Sequence, residues 1–232
     1  MWSGPRNLST AMMYAFAARS DCAVVDEPFY GAYLANTGLE HPMRAEIIAS
    51  QETNSDRVVD QLLGPIPGDF TCFYQKHMTQ HMVPTIDRGW MRDVSNVFLI
   101  RHPARVIASY AAKREAPAFD DIGFWQQAEL FDYAVALGQS PVVIDSEDIR
   151  NDPKAALTLL CQRIGLPFQE QMLHWPEGGH ADDGVWAKHW YRVVQRSTGF
   201  AGAEGDLPEL VGDNAETARL ALPFYERLKQ HI

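Results

Sequence analysis

Val97-Phe98-Leu99-Ile100-Arg101-His102-Pro103-Ala104-Arg105-Val106-Ile107-Ala108-Ser109-Tyr110 is the stretch on which the reading of the fold turns. Its first four residues are apolar without a polar alternate, the pattern of a strand covered on both faces, and Arg101 closes the run. Pro103 suits the first turn of a following helix, where a missing N–H leaves nothing unsatisfied. Strand, short turn and helix make the repeating unit of an α/β protein. Arg101 falls at the strand tip, and open parallel sheets bind ligands beyond the C-terminal ends of their strands. Ser109 follows under two turns into the helix and can face the same ligand. The plainer alternative is a salt-bridged arginine at a strand end with a serine packed mid-helix.

Outward from this stretch the unit recurs. Strands are expected at 22–26, 70–75, 96–101 and 141–145, and helices at 9–20, 55–63, 103–114, 122–137, 153–164 and 214–230. Alternation of this kind predicts a three-layer α/β/α sandwich around a mainly parallel sheet, with residues 1–232 as a single domain. Two stretches, 30–54 and 175–208, fit no element. The second carries Trp175, Trp186, Trp190, Tyr191 and Phe200, which favour packing over disorder. Phe124, Trp125, Trp186, Trp190 and Tyr191 are available to line an apolar pocket, although core positions are the commoner use of such rings.

Composition narrows the function classes. A hydrophobic share of 46% and a charged share of 22% are those of a soluble globular chain. No apolar stretch approaches the length of a membrane span, and no cationic segment precedes an apolar one at the N-terminus, so a cytoplasmic location without membrane contact is expected. A net charge of −10 argues against nucleic-acid partners. An anionic ligand must then be gripped by local cations, and Arg6, Lys76, Arg101, Arg105 and Arg196 stand near expected turns. Cys22, Cys72 and Cys161 are odd in number, far apart in the chain and set among apolar residues. They read as buried thiols, not as a disulfide or a zinc frame.

Near the N-terminus, Trp2-Ser3-Gly4-Pro5-Arg6-Asn7-Leu8-Ser9-Thr10 is a polar turn feeding into a helix. Backbone N–H groups and the positive helix end would face whatever the turn holds, and Arg6 adds a fork-shaped cation, so a phosphate-bearing ligand is indicated. A polar helix cap beside an exposed arginine is the plainer alternative. The pattern G-x-x-x-x-G-K-[ST] is not met, because Leu8 and Ser9 stand where it needs glycine and lysine. Such a loop normally hangs from a buried strand, yet only Met1 and Trp2 precede Ser3. The first strand is therefore expected to be truncated or missing, with the natural chain starting upstream of Met1.

Here a family resemblance enters. The spacing R-x-P-x-x-x-x-x-S from Arg101 to Ser109 is similar to the 3′-phosphate-binding motif of the sulfotransferases that use 3′-phosphoadenosine 5′-phosphosulfate (PAPS). Pro5-Arg6-Asn7-Leu8-Ser9-Thr10 resembles that family's 5′-phosphosulfate loop, P-[KR]-S-G-T-[ST], with Leu8 in place of the loop glycine. Val142-Val143-Ile144-Asp145-Ser146-Glu147-Asp148-Ile149, then Asp152-Pro153, then Gly165-Leu166-Pro167 resemble the family's later strand, acidic turn and proline-initiated helix. The resemblance implies a P-loop NTPase-like fold and a metal-free transfer that releases 3′,5′-ADP (PAP). It implies that Gly4, Pro5, Arg6, Asn7, Leu8, Ser9 and Thr10 hold the phosphosulfate while Arg101 and Ser109 hold the 3′-phosphate. More loosely, Arg196, Ser197 and Thr198 resemble the basic C-terminal loop that covers that phosphate.

A base must take the acceptor's proton, and two candidates compete. Asp26-Glu27-Pro28-Phe29 resembles the Glu-Pro turn of bacterial and carbohydrate sulfotransferases and offers Glu27. Lys76-His77 resembles the Lys-Thr-His segment of cytosolic sulfotransferases with the middle residue absent, which turns His77 to the other face unless the chain has already left the sheet. His81 is a further possibility, and Glu27 is favoured. Arg6, assisted by Lys76, would meet charge growing on the leaving group. The expected activity is sulfuryl transfer to a hydroxyl or amine of a small acceptor. A kinase using ATP and magnesium is one rival, although ATP has no 3′-phosphate for Arg101 and Ser109; a non-catalytic nucleotide-binding protein on the same fold is the other.

Overall fold

A computed structural model describes residues 1–112 and 117–232. Five strands, β1 (Trp2–Ser3), β2 (Cys22–Asp26), β3 (Cys72–Met78), β4 (Val97–Ile100) and β5 (Val142–Asp145), form one sheet in the order β2-β3-β1-β4-β5. Every pairing is parallel. Between strands run α1 (Ser9–Ala17), α2 (Tyr30–Thr37), α3 (Arg44–Ser50), α4 (Ser55–Leu63), α5 (Pro103–Ala111) and α6 (Phe124–Ala136). After β5 come α7 (Ser146–Asn151), α8 (Pro153–Arg163), α9 (Ala187–Trp190) and α10 (Gly212–Lys229).

The sheet's register sorts side chains into two cores. Trp2 lies beside Phe98, which lies beside Val143, and this row packs against apolar residues of α4, α5, α6 and α10. Leu99 and Ile144 point the other way, toward α1 and α8. Strand side chains alternate, so a parallel sheet with both faces covered needs apolar residues at every position, as β4 has. Helices on both faces give the three-layer sandwich that the alternation predicts.

The strand judged too short to exist is present. Trp2 and Ser3 pair with His77 and Met78 on one side and with Phe98 and Leu99 on the other. Met1 extends the ladder, its nitrogen donating to Gln75 O at 2.8 Å and its carbonyl accepting from His77 N at 2.9 Å. Trp2 is 1% exposed, and burying an aromatic of ~150–250 Å² contributes on the order of 4–6 kcal/mol. Neighbours on both sides hold these two residues at the centre of the sheet, and a loop and the helix α1 follow them.

Three further expectations change, and one falls partly outside the described residues. β3 runs to Met78 instead of stopping at 75, because β1 pairs with its last residues, and Lys76 and His77 are thereby inside the sheet. The stretch 30–54 contains α2 and α3, whose buried Tyr30, Leu34 and Ile47 pack on Trp186, Ala187 and Tyr191 of the other stretch left unassigned. Cys22 and Cys72, distant in sequence, are register partners on β2 and β3 with free thiols in contact at 3.1 Å. The helix beginning at Pro103 is described to Ala111, and the expected end at Arg114 lies outside the described residues. Among the described residues no helix is long and apolar enough to cross a membrane.

Candidate active site

The loop between β1 and α1 is held in an unusual backbone. Arg6 and Leu8 adopt φ of 60° and 55°, and Glu27, after β2, adopts 42°. Left-handed backbone in non-glycine residues costs about 1–2 kcal/mol each. Leu8 thus takes the conformation that glycine would provide. Its side chain packs on the α1 core, and as N-cap it offers no side-chain oxygen to the N-terminus of α1. That helix end is left to another acceptor, the arrangement that suits an anion. Asn7 is buried and donates from Nδ2 to Leu99 O at 2.6 Å, tying the loop to β4. Gly4 serves close packing: a Cβ there would lie 2.5 Å from Ile122 O. Ser9 is buried, and Pro5 and Thr10 are half-buried.

Arg6 lies between two rings, its Cζ 5.1 Å from the Tyr110 centroid and 5.5 Å from that of Trp190. Arg101 donates from Nη1 to the Arg6 carbonyl, so the strand-tip arginine and the loop are in direct contact. Ser109 is half-buried on α5, next to Tyr110.

Lys76, 1% exposed, is the centre of a second group. It is the register partner of Asp26, and its Nζ donates to Asp26 Oδ1 at 2.7 Å, Glu27 Oε1 at 2.5 Å and the Tyr191 hydroxyl at 2.7 Å. Tyr191 Oη also accepts from Trp186 Nε1 at 3.0 Å and donates its proton to the carboxylates, with Asp26 Oδ2 at 2.9 Å and Glu27 Oε1 at 3.1 Å. Gly184 N donates to Asp26 Oδ2 at 3.1 Å. Burial raises the Asp26 carboxyl above its ordinary range; Lys76 opposes this and Glu27 reinforces it. Burial works against the Lys76 cation, but Asp26 and Glu27 outweigh it and hold Lys76 above its usual value. Glu27 is kept in place by its own backbone as well, donating from N to Lys76 O and accepting at O from Tyr30 N and Gln51 Nε2.

The two histidines separate. His77 faces away from Lys76 into the core, stacked on Trp2 with centroids 4.5 Å apart and bordered by Phe29 and Trp90. Burial drives its pKa well below the ordinary histidine value. A neutral imidazole enclosed by aromatic rings, with Nε2 3.3 Å from Gln75 Oε1, packs the core, which counts against His77 as the base. His81 instead has its Nδ1 4.0 Å from Glu27 Oε2, between the stacked rings of Tyr30 and Tyr33. That nitrogen is buried without a hydrogen-bond partner.

The C-terminal segment also departs from expectation. Ser197 Oγ accepts from Trp175 Nε1 and donates to Val194 O, Thr198 O accepts from Trp175 N, and Arg196 is exposed. The residues that reach Arg101 come later. Glu204 pairs with Arg101, with Arg150 at 3.1 Å and with Arg105 at 3.6 Å. Sequence reasoning missed Glu204 and Arg150 altogether, and saw Tyr191 only as an aromatic. The clue available for Asp26 was its place beside Glu27 at a strand end. Of the other rings, Phe124 and Trp186 are core residues, while Trp125 donates to Asp120 at the surface. Among the described residues no group of three or more His, Cys, Asp or Glu side chains stands close enough to hold a metal ion.

Comparison with known proteins identifies the family. The family profile described as the sulfotransferase domain matches residues 1–232. Two Arabidopsis thaliana proteins, named branched-chain-amino-acid aminotransferase-like proteins 1 and 2, are 34% and 31% identical over 232 and 231 residues. The match takes in all of this chain and 41% of each relative, so the chain spans about two fifths of their length. Among solved structures, the sulfotransferase domain of the Synechococcus PCC 7002 olefin synthase superposes with a TM-score of 0.47 at 16% identity, covering 94% of this chain and 92% of that one. The sulfotransferase domain from the curacin biosynthetic pathway gives 0.49 at 15% identity, covering 96% and 95%.

Proposed function

This chain belongs to the sulfotransferase domain family, and from that premise we propose that residues 1–232 act as one cytoplasmic domain transferring a sulfuryl group from PAPS to a hydroxyl or amine of a small acceptor. The observation that carries the donor assignment is the contact between Arg101 and the Arg6 carbonyl, which joins two anion-binding features in one site. The residues present fit a doubly phosphorylated nucleotide. Arg101 Nε is buried without a hydrogen-bond partner, and the N-terminus of α1 has no side-chain cap. The loop from Gly4 to Thr10 and Arg6 would hold the phosphosulfate end, and Arg101 and Ser109 the ribose phosphate.

When bound, PAPS supplies an activated sulfuryl group on a good leaving group. The chain's own part is orientation and proton transfer. Glu27 Oε1 is engaged by Lys76 and Tyr191, which leaves Oε2, on the His81 side, to take the acceptor's proton. Lys76 fixes that carboxylate by a bond its burial strengthens, and His81, held between two tyrosine rings, borders the other edge without bonding to it. Arg6, between two aromatic faces, would meet charge that develops at the loop.

Calorimetric titration with 3′,5′-ADP, 5′-AMP and ATP with magnesium tests the reading. A clear preference for 3′,5′-ADP is expected, followed by transfer of label from radiolabelled PAPS into a metabolite extract. Magnesium-dependent ATP binding stronger than that of 3′,5′-ADP would replace the reading with a kinase.

A further inference from the structure

Three guanidinium groups, those of Arg101 at the tip of β4, Arg105 on α5 and Arg150 on α7, converge on the single carboxylate of Glu204. Among the described residues the next acid in ion-pair range is Glu147, 3.9 Å from Arg105 and itself half exposed. Positive charge is therefore in excess, in a chain whose net charge is −10. Burial and the neighbouring Arg101 and Arg105 lower the Arg150 pKa in spite of Glu204. A group of three arginines this close suits an anion with more than one charge and more than two oxygens.

Glu204 arrives on a segment with little else to hold it. Residues 201–203 and 205–207 are exposed and lie outside helix and strand, whereas the Glu204 side chain is 11% exposed. Among the described residues the same arginines bond to its backbone: Arg150 Nε donates to Gly202 O at 2.8 Å, and Arg105 donates to Gly205 O at 2.6 Å and Asp206 O at 3.3 Å. Buried apolar contact and paired backbone are what make a segment costly to open, and this one has little of either.

We propose that Arg105 and Arg150 complete, with Arg101, a three-arginine seat for the ribose phosphate of the donor, and that Glu204 occupies this seat as a built-in anion which the nucleotide must displace. The inference rests on the PAPS reading above and adds to it two binding residues and a gate. Ligand affinity is reduced by the fraction of molecules in which Glu204 fills the seat. A phosphate monoester, with up to two charges and three free oxygens, outcompetes a carboxylate there.

The test compares the wild-type chain, Glu204→Gln and Arg150→Gln in titrations with 3′,5′-ADP and 5′-AMP, with melting curves to verify folding. Glu204→Gln is expected to bind 3′,5′-ADP about tenfold more tightly and Arg150→Gln about tenfold more weakly, with 5′-AMP unchanged in both. If wild type prefers 3′,5′-ADP but Glu204→Gln binds it no better, the gate is overturned and Glu204 is a clamp on the segment. An unchanged affinity in Arg150→Gln overturns the seat, and this variant carries the test if Glu204→Gln does not fold. A wild-type chain that binds 3′,5′-ADP and 5′-AMP alike removes the donor reading, and the inference with it.

Discussion

Two polar clusters lie beyond the C-terminal ends of the strands, one around Lys76 and one around Glu204, and they are built in opposite ways. Around Lys76 the groups are sealed: Lys76 and Asp26 are each 1% exposed by side chain, and the Tyr191 hydroxyl accepts two hydrogen bonds and donates one. Around Glu204 the three arginines outnumber the acid, Arg101 Nε and Glu204 Oε2 lack hydrogen-bond partners, and the acid sits on an exposed segment. A sealed cluster gives fixed geometry, which proton transfer needs. An unbalanced one held by a loose segment can exchange its anion, which ligand entry needs.

The largest effect expected from this contrast is on stability. Lys76→Met leaves two buried carboxylates without their cation and should destabilise the fold by about 3–5 kcal/mol in urea denaturation. Glu204→Gln, at the cluster whose exposed segment can lift and let water reach the arginines, should cost less than Lys76→Met does. Adding Asp26→Asn to Lys76→Met should restore part of the loss, since one of the stranded charges is then gone. Equal effects of Lys76→Met and Glu204→Gln would erase the distinction between the clusters.

Next comes catalysis. Glu27→Gln keeps an oxygen for Lys76 but cannot accept a proton, so turnover should fall by about 10²–10⁴ while 3′,5′-ADP affinity stays within a factor of about two. Single-turnover rates with PAPS, set beside a calorimetric titration, separate the two quantities. Full turnover in this variant would assign the proton to another group, with His81 next in line.

The difference between the clusters also explains what the sequence could reveal. β4 and β5 are legible because an apolar run is a local signal, and the turn after β4 is legible because Pro103 marks it. Lys76 and Glu27 stand out at strand ends, yet their hub, Tyr191, is 115 residues beyond Lys76, and Glu204 is 103 residues beyond Arg101. No spacing rule reaches across such separations. β1 carries no pattern of its own in two residues; its neighbours make it a strand. α2 and α3 stay hidden because their buried faces are matched to 186–191, a stretch equally irregular to the eye. His77 shows how one register fact decides a role: since β3 continues through Met78, alternation sends His77 to the Trp2 face and Lys76 to the acids.

That assignment has a pH signature. The His77 pKa is depressed, first by burial and then by the Met1 amine, His81 and Lys76. A depressed folded-state pKa contributes stability above the unfolded value of about 6.5 and loses it as pH falls toward the folded value. Denaturation free energy should therefore drop between pH 6.5 and 5. His77→Phe should reduce that drop by about 1–2 kcal/mol, the remainder coming from the Met1 amine, lowered to about 5, and from His81, His41 and His102, all depressed first by burial. An unchanged drop would mean that His77 is solvated or paired in a way that lets it charge within the fold.

The smallest effect concerns the loop between β1 and α1, to which Arg101 is tied. Leu8 is left-handed and packs its side chain on the α1 core, so two opposed contributions are built into one residue. Leu8→Ala loses packing and keeps the strain, whereas Leu8→Gly loses the same packing and releases it. Ordinarily alanine is the more stabilising of the two because glycine has more unfolded-state freedom to lose. At this position the order should invert, with Leu8→Gly more stable than Leu8→Ala by about 1 kcal/mol in urea and both below wild type. Alanine equal to or better than glycine would mean that the chain relaxes Leu8 when its side chain is removed. Arg101 opposes such relaxation, because its bond to the Arg6 carbonyl pins the loop two residues before Leu8. Releasing that pin with Arg101→Ala should shrink the gap between the glycine and alanine variants.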